Sequence, residues 1–337
     1  MNSKPDAGNF DGNAATDDAN SNANTDANSG ENPAPRARFS PVWWLYLLAA
    51  IRLLGPFLPL PNALAALTGG VVLTAIYIGA VVAFSLGIAR RRFKILDALG
   101  WLGVCVAVWL SMQRGLLPLV GRAFDSISEN GGAPTTSQQL LLSLATILQD
   151  LALFGGATFA GTLIARLVRH ANMIGPIGAA IVLIDIWGVL FGGIVSQILA
   201  NKTLAPITEK AMTQGPSLGS ASHARTGFSI EIPAIGVGDF LFIALLLSVL
   251  VNLSMNWRTS ARLMWLLVVV ALLAMQLLAL PPLPGLLFIG AAAVLPNWKF
   301  FKFTREESFA LLYAGIFVLI LTVGLFFGFK AMLPVSK

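Results

Sequence analysis

The chain has 337 residues, 56% of them hydrophobic and 11% charged. Soluble globular proteins carry about 25% charged residues, so a mean hydropathy of +0.77 leaves too little polar surface to enclose one water-soluble core. The net charge of +6 does not point to nucleic acid, because the basic residues fall in short clusters between apolar runs, the pattern that orients membrane proteins.

Residues 1–40 are rich in Asn, Asp, Ala, Ser and Gly. Such a segment buries too little apolar surface to offset its chain entropy and is expected to be a disordered hydrophilic tail. Beyond it the chain reads as all-α, a polytopic bundle of about nine transmembrane helices, because helices in lipid satisfy their own backbone hydrogen bonds. A span needs roughly 20 mainly apolar residues. Nine stretches come close: 42–61, 64–89, 96–113, 139–165, 173–200, 236–256, 263–280, 282–296 and 308–329. The organisation expected is a tail (1–40), N-terminal helices (41–171), a transmembrane core (172–297) carrying a loop at 201–235, and a last helix with its tail (298–337).

Basic residues follow every second span: Arg90, Arg91, Arg92 and Lys94; Arg166 and Arg169; Arg258 and Arg262; Lys299, Lys302 and Arg305. The positive-inside rule then predicts a cytoplasmic N-terminus, with the 201–235 loop outside. The expected location is the plasma (inner) membrane of a prokaryote. Cys105 lies in an apolar stretch and reads as a small buried hydrophobe, and a chain with one Cys and two His is not expected to hold zinc.

An ionisable group at mid-membrane costs at least ~2.5 kcal/mol and marks function by default. Asp150, Asp185 and Asp239 qualify, and Arg52 in the first span is expected either to pair with one of them or to snorkel to an interface. Asp150 reads as a bundle-facing group bonded to another helix. The paired Gly155-Gly156 and nearby Gly161 read as sites of close helix packing. Asp239 sits in Gly236-Val237-Gly238-Asp239-Phe240-Leu241-Phe242 at the head of an apolar helix, and Asp185 lies within Ile184-Asp185-Ile186-Trp187 in the preceding span. Gly236 and Gly238 permit dihedrals that other residues avoid and let another chain approach closely. If the two helices are antiparallel neighbours, the carboxylates meet at similar depth. Two close carboxylates share one proton, so one can take a proton from water while the other polarises a carbonyl. Pro281-Pro282-Leu283-Pro284 resists helix and is expected to be extended beside them. Phe228-Ser229-Ile230-Glu231-Ile232 alternates apolar and polar as a strand does, so Phe228, Ile230 and Ile232 are candidates for pairing with an extended substrate.

Together these pieces resemble the GxGD intramembrane aspartyl proteases, the presenilin and signal peptide peptidase family. The segment 236–242 is similar to the presenilin form of the second-aspartate motif. Asp185, 54 residues earlier (239 − 185), is similar to the first catalytic aspartate, and 281–284 resembles the Pro-Ala-Leu-Pro motif with Pro282 in place of alanine. Ile184 stands where the family has Tyr or Trp, and the chain has four spans before Asp185 and one after the proline motif, against five and none. The resemblance implies hydrolysis of peptide bonds within transmembrane helices of membrane-protein substrates, without a cofactor or metal. It covers residues 173–296. A prepilin-type peptidase also uses Gly-x-Gly-Asp but usually with Lys following. Two further functions fit carboxylates within apolar helices: a proton- or cation-coupled transporter, and a catalytically inactive homologue that binds transmembrane segments.

Overall fold

The computed structural model describes residues 40–58, 60–91, 93–119, 136–186, 212–213, 216–218, 230–231, 235–278 and 283–332. The N-terminal tail, and Trp187 to Ala211, therefore lie outside it. The chain is predominantly helical. Among the described residues the α-helices are α1 (Val42–Leu54), α2 (Ala63–Arg91), α3 (Ile95–Ser111), α4 (Thr136–Ile164), α5 (Ile174–Ile186), α6 (Val237–Asn252), α7 (Trp257–Leu277), α8 (Gly285–Val294) and α9 (Arg305–Met332). Two-residue strands precede α6: β1 (Met212–Thr213), β2 (Ser217–Leu218), β3 (Ile230–Glu231) and β4 (Ile235–Gly236).

Helical segments spanning Ala63–Arg91, Ile95–Leu119, Ser143–Leu167 and Trp257–Leu277 are long and apolar enough to cross a membrane. The second of these is apolar on all sides and hardly covered by the rest of the molecule; Leu96, Leu99, Trp101, Val104 and Val106 are all exposed. A helix apolar all round is stable only where its surroundings are apolar, and these features mark a membrane protein. The first span is shorter than expected, since α1 gives way at Gly55–Phe57 to one 3₁₀ turn, where Pro56 lacks the N–H that would continue the helix.

The bundle is organised around α6. From Ile243 to Val251 every side chain of this helix is buried. It packs against α2, α4 and α8, while α3 lies against α4, α7 against α2 and α8, α5 against α8, and α9 against α5. Helix association in lipid draws on close packing and polar contacts more than on hydrophobic exclusion, and both are present. A Cβ on Gly161 of α4 would stand 2.3 Å from the Leu241 carbonyl oxygen and 2.9 Å from the Leu245 nitrogen of α6. Gly155 and Gly156 bring α4 against Cys105 of α3 in the same way. Aromatic rings continue the seam: Phe154 of α4 meets Phe84 of α2 at 4.9 Å and Phe240 of α6 at 5.1 Å between centroids.

Two polar devices hold the outer helices. Arg52 of α1 forms an ion pair with Asp150 of α4, both side chains buried, so each charge removed from water has its counterpart. Asn297, fully buried just past α8, donates from Nδ2 to Ser260 Oγ and to Ala293 O, each at 2.8 Å, and its Oδ1 accepts the Asn256 N–H at 2.8 Å. One amide thus ties the C-terminal end of α8 to the start of α7.

Candidate active site

Asp239 enters in the first turn of α6. Gly236 caps that helix with φ −67° and ψ 146°, and an acidic residue in the first turn is favoured by the unpaired N–H groups and positive end of the helix. The glycines were expected to supply unusual dihedrals. Neither does so: Gly236 is ordinary extended backbone and Gly238 is helical. Nor does a close approach require them. A Cβ at Gly236 would lie 3.7 Å from Asp239 Oδ2, and one at Gly238 would meet nothing within 4 Å. The carboxylate also takes a backbone hydrogen bond from Gly236.

Asp185 lies in the last described turn of α5, half-buried. Direct neighbourhood of the two aspartate-bearing helices was the condition for the carboxylates to meet. Among the described residues α5 and α6 share no extensive interface, and α8 packs against both instead. The reason is small side chains along α5 and α8. These helices run antiparallel, with Gly290 against Val182 (3.0 Å from its Cβ position) and Gly178 against Val294 (3.6 Å).

That seam ends at the aspartates. Pro284 (φ −64°, ψ 105°) precedes α8 as its cap, so the helix begins at Gly285 with its first N–H groups unpaired within the helix. The Leu286 N–H donates to Asp185 Oδ2 at 2.8 Å. On the adjoining residue, a Cβ at Gly285 would stand 3.5 Å from Asp239 Oδ1. Standard backbone geometry across these two residues keeps the nearest carboxylate oxygens within about 10 Å, and the two groups interact electrostatically. Residues 285–286 thus touch both acids, Leu286 through its backbone N–H and Gly285 where it carries no side chain.

Of the remaining sequence-derived candidates, Leu283 is half-buried and Pro284 buried, both at the edge of this arrangement. Pro281, Pro282, Phe228 and Ile232 lie outside the described residues. Ile230 is in β3, which pairs antiparallel with β2, Leu218 opposite Ile230 and Ser217 opposite Glu231. The strand that runs into the Asp239 turn is β4 rather than the 228–232 segment. It pairs with β1, Met212 opposite Gly236 and Thr213 opposite Ile235. Sequence reasoning missed β1, the Leu286 amide, Gly285 and Asn297. Gly285 was detectable as the first residue after a proline that starts a helix; β1 left no signal, since two residues carry no period.

Among the described residues no group of three or more His, Cys, Asp or Glu side chains could hold a metal ion. Two carboxylates facing a common gap can serve as acid and base toward a bound water and a carbonyl. No protein-family model, curated protein or solved structure matches the chain.

Proposed function

We propose that this chain is a multi-pass intramembrane aspartyl protease of the GxGD type, with Asp185 and Asp239 as its catalytic pair. The observation that carries the proposal is the convergence of both carboxylates on Gly285-Leu286, immediately after the Leu283-Pro284 end of the proline motif. Three elements distant in sequence, each singled out by its residues, meet at one point.

The mechanism follows from that geometry. One aspartate, ionised, takes a proton from a water held between the pair. The other, protonated, hydrogen-bonds the scissile carbonyl and stabilises the oxyanion as the water adds. Collapse of the tetrahedral intermediate returns a proton to the departing amine. The Leu286 amide fixes the direction in which Asp185 points. Helix lengths favour a recessed site. Helix α6 has 16 residues, about 24 Å of rise, against a hydrocarbon core ~30 Å thick; α8 has only 10. Both begin at the site, surrounded by span-length α2, α4 and α7. Substrates would be transmembrane helices, unwound locally at the gap. The N-terminus would face the cytoplasm and the site would open toward the opposite side.

The test is cleavage of a panel of single-span membrane proteins by the purified chain in lipid, beside Asp185→Asn and Asp239→Asn. Cleavage lost in both variants, with both still folded, supports the paired mechanism. Cleavage that survives either substitution rejects it. A proton-coupled transporter would instead show uptake into vesicles and no cleavage.

A further inference from the structure

The cytoplasm-facing ends of α2 and α7, as the charge pattern orients them, meet at Trp257. The Arg90 guanidinium lies 5.1 Å from the centre of its ring and that of Arg258 lies 5.0 Å from it. The two cations are therefore within about 10 Å of each other, roughly one Debye length at 0.1 M salt. Among the described residues neither has a carboxylate partner; the ion pair found there is Arg52–Asp150. Arg90 lies in the last turn of α2, where a cation suits the helix dipole, but Arg258 stands in the first turn of α7, where it does not. That turn holds no acidic residue and no side-chain cap. The indole quadrupole offsets part of this repulsion and leaves a net positive patch.

Both helices are long and apolar enough to cross a membrane, and these are their ends, so the patch falls at headgroup depth, where Trp is at home. Arg90, Arg91, Arg258 and Arg262 are all exposed there. The geometry points to a binding site for the phosphodiester of an anionic phospholipid, gripped by Arg90 and Arg258 across Trp257, with the acyl chains lying along α2 and α7. The planar guanidinium fork matches two phosphate oxygens, which a lysine would not. This inference is independent of the protease reading.

The test measures thermal unfolding of the full chain in nanodiscs of phosphatidylcholine alone and of phosphatidylcholine mixed with phosphatidylglycerol. The wild type should gain a few degrees from the anionic lipid. Arg90→Gln/Arg258→Gln should lose most of that gain, Arg262→Gln should keep it, and the wild-type gain should shrink as salt is raised. Equal gains in the double variant and the wild type, a gain indifferent to salt, or no gain in the wild type would overturn the site. An equivalent rise produced by inorganic phosphate in lipid-free detergent would overturn its assignment to a lipid.

Discussion

Gly161→Ala is the sharpest perturbation of the bundle. The added methyl carbon would start 2.3 Å from the Leu241 carbonyl oxygen, 2.9 Å from the Leu245 nitrogen and 3.1 Å from Ala244 Cβ. Favourable C···O contacts are at about 3.3–3.6 Å, so α4 and α6 would have to part by about 1 Å. Two of the three opposing atoms are backbone, and no rotamer change relieves them. Overpacking of this kind costs about 1–3 kcal/mol, and a rigid contact belongs near the upper end. The displaced segment begins two residues after Asp239, and a misplacement of about 1 Å can cost roughly 100-fold in rate. The assay pairs thermal unfolding in lipid with the cleavage rate of a single-span substrate. Gly155→Ala is the control, because its methyl would meet only the Cys105 sulfur at 3.1 Å, the free end of a side chain. A Gly161→Ala protein as stable and as active as wild type would refute the packing argument.

Gly285→Ala separates site from scaffold. Its methyl would make an ordinary 3.5 Å contact with Asp239 Oδ1, so unfolding should move little while cleavage falls sharply, as the gap between the acids fills. Equal losses in both would show a structural role only. Breaking the Arg52–Asp150 pair by Arg52→Met or Asp150→Leu should cost about 3–5 kcal/mol, because the remaining charge loses its counter-ion away from water. The double variant should recover much of that loss, and thermal unfolding of the three proteins reads the difference. Asn297→Leu removes three hydrogen bonds, among them the one to the fully buried Ser260 hydroxyl, which should cost about 1–3 kcal/mol. Asn297→Asp, which keeps the acceptor, should fall between.

The local character of this chain was legible because local physics decides it. A run such as Ala63–Arg91 is helical and apolar wherever it sits, and lipid leaves a backbone few other ways to pair its own groups. The Asp185 and Asp239 positions stood out for the same reason, since an isolated carboxylate in an apolar run has to be explained by function or a partner. The glycine argument was half legible. Their place beside Asp239 singled out Gly236 and Gly238, but only the fold shows that neither adopts an unusual dihedral and that a Cβ would fit at both.

What the residues alone determined, then, was the class of molecule, the places where its helices run and the short list of acids. Which of those acids face each other was a tertiary decision. Arg52 had three candidate partners in sequence and chose Asp150 because α1 packs on α2 and α4. Asp185 and Asp239 both reach the start of α8, whose ten residues pack along α5 through small side chains and are tied to α7 by Asn297 at the far end. Periodicity records which face of a helix is apolar. It carries no information about which other helix that face will meet, and the pairing of charges follows that choice.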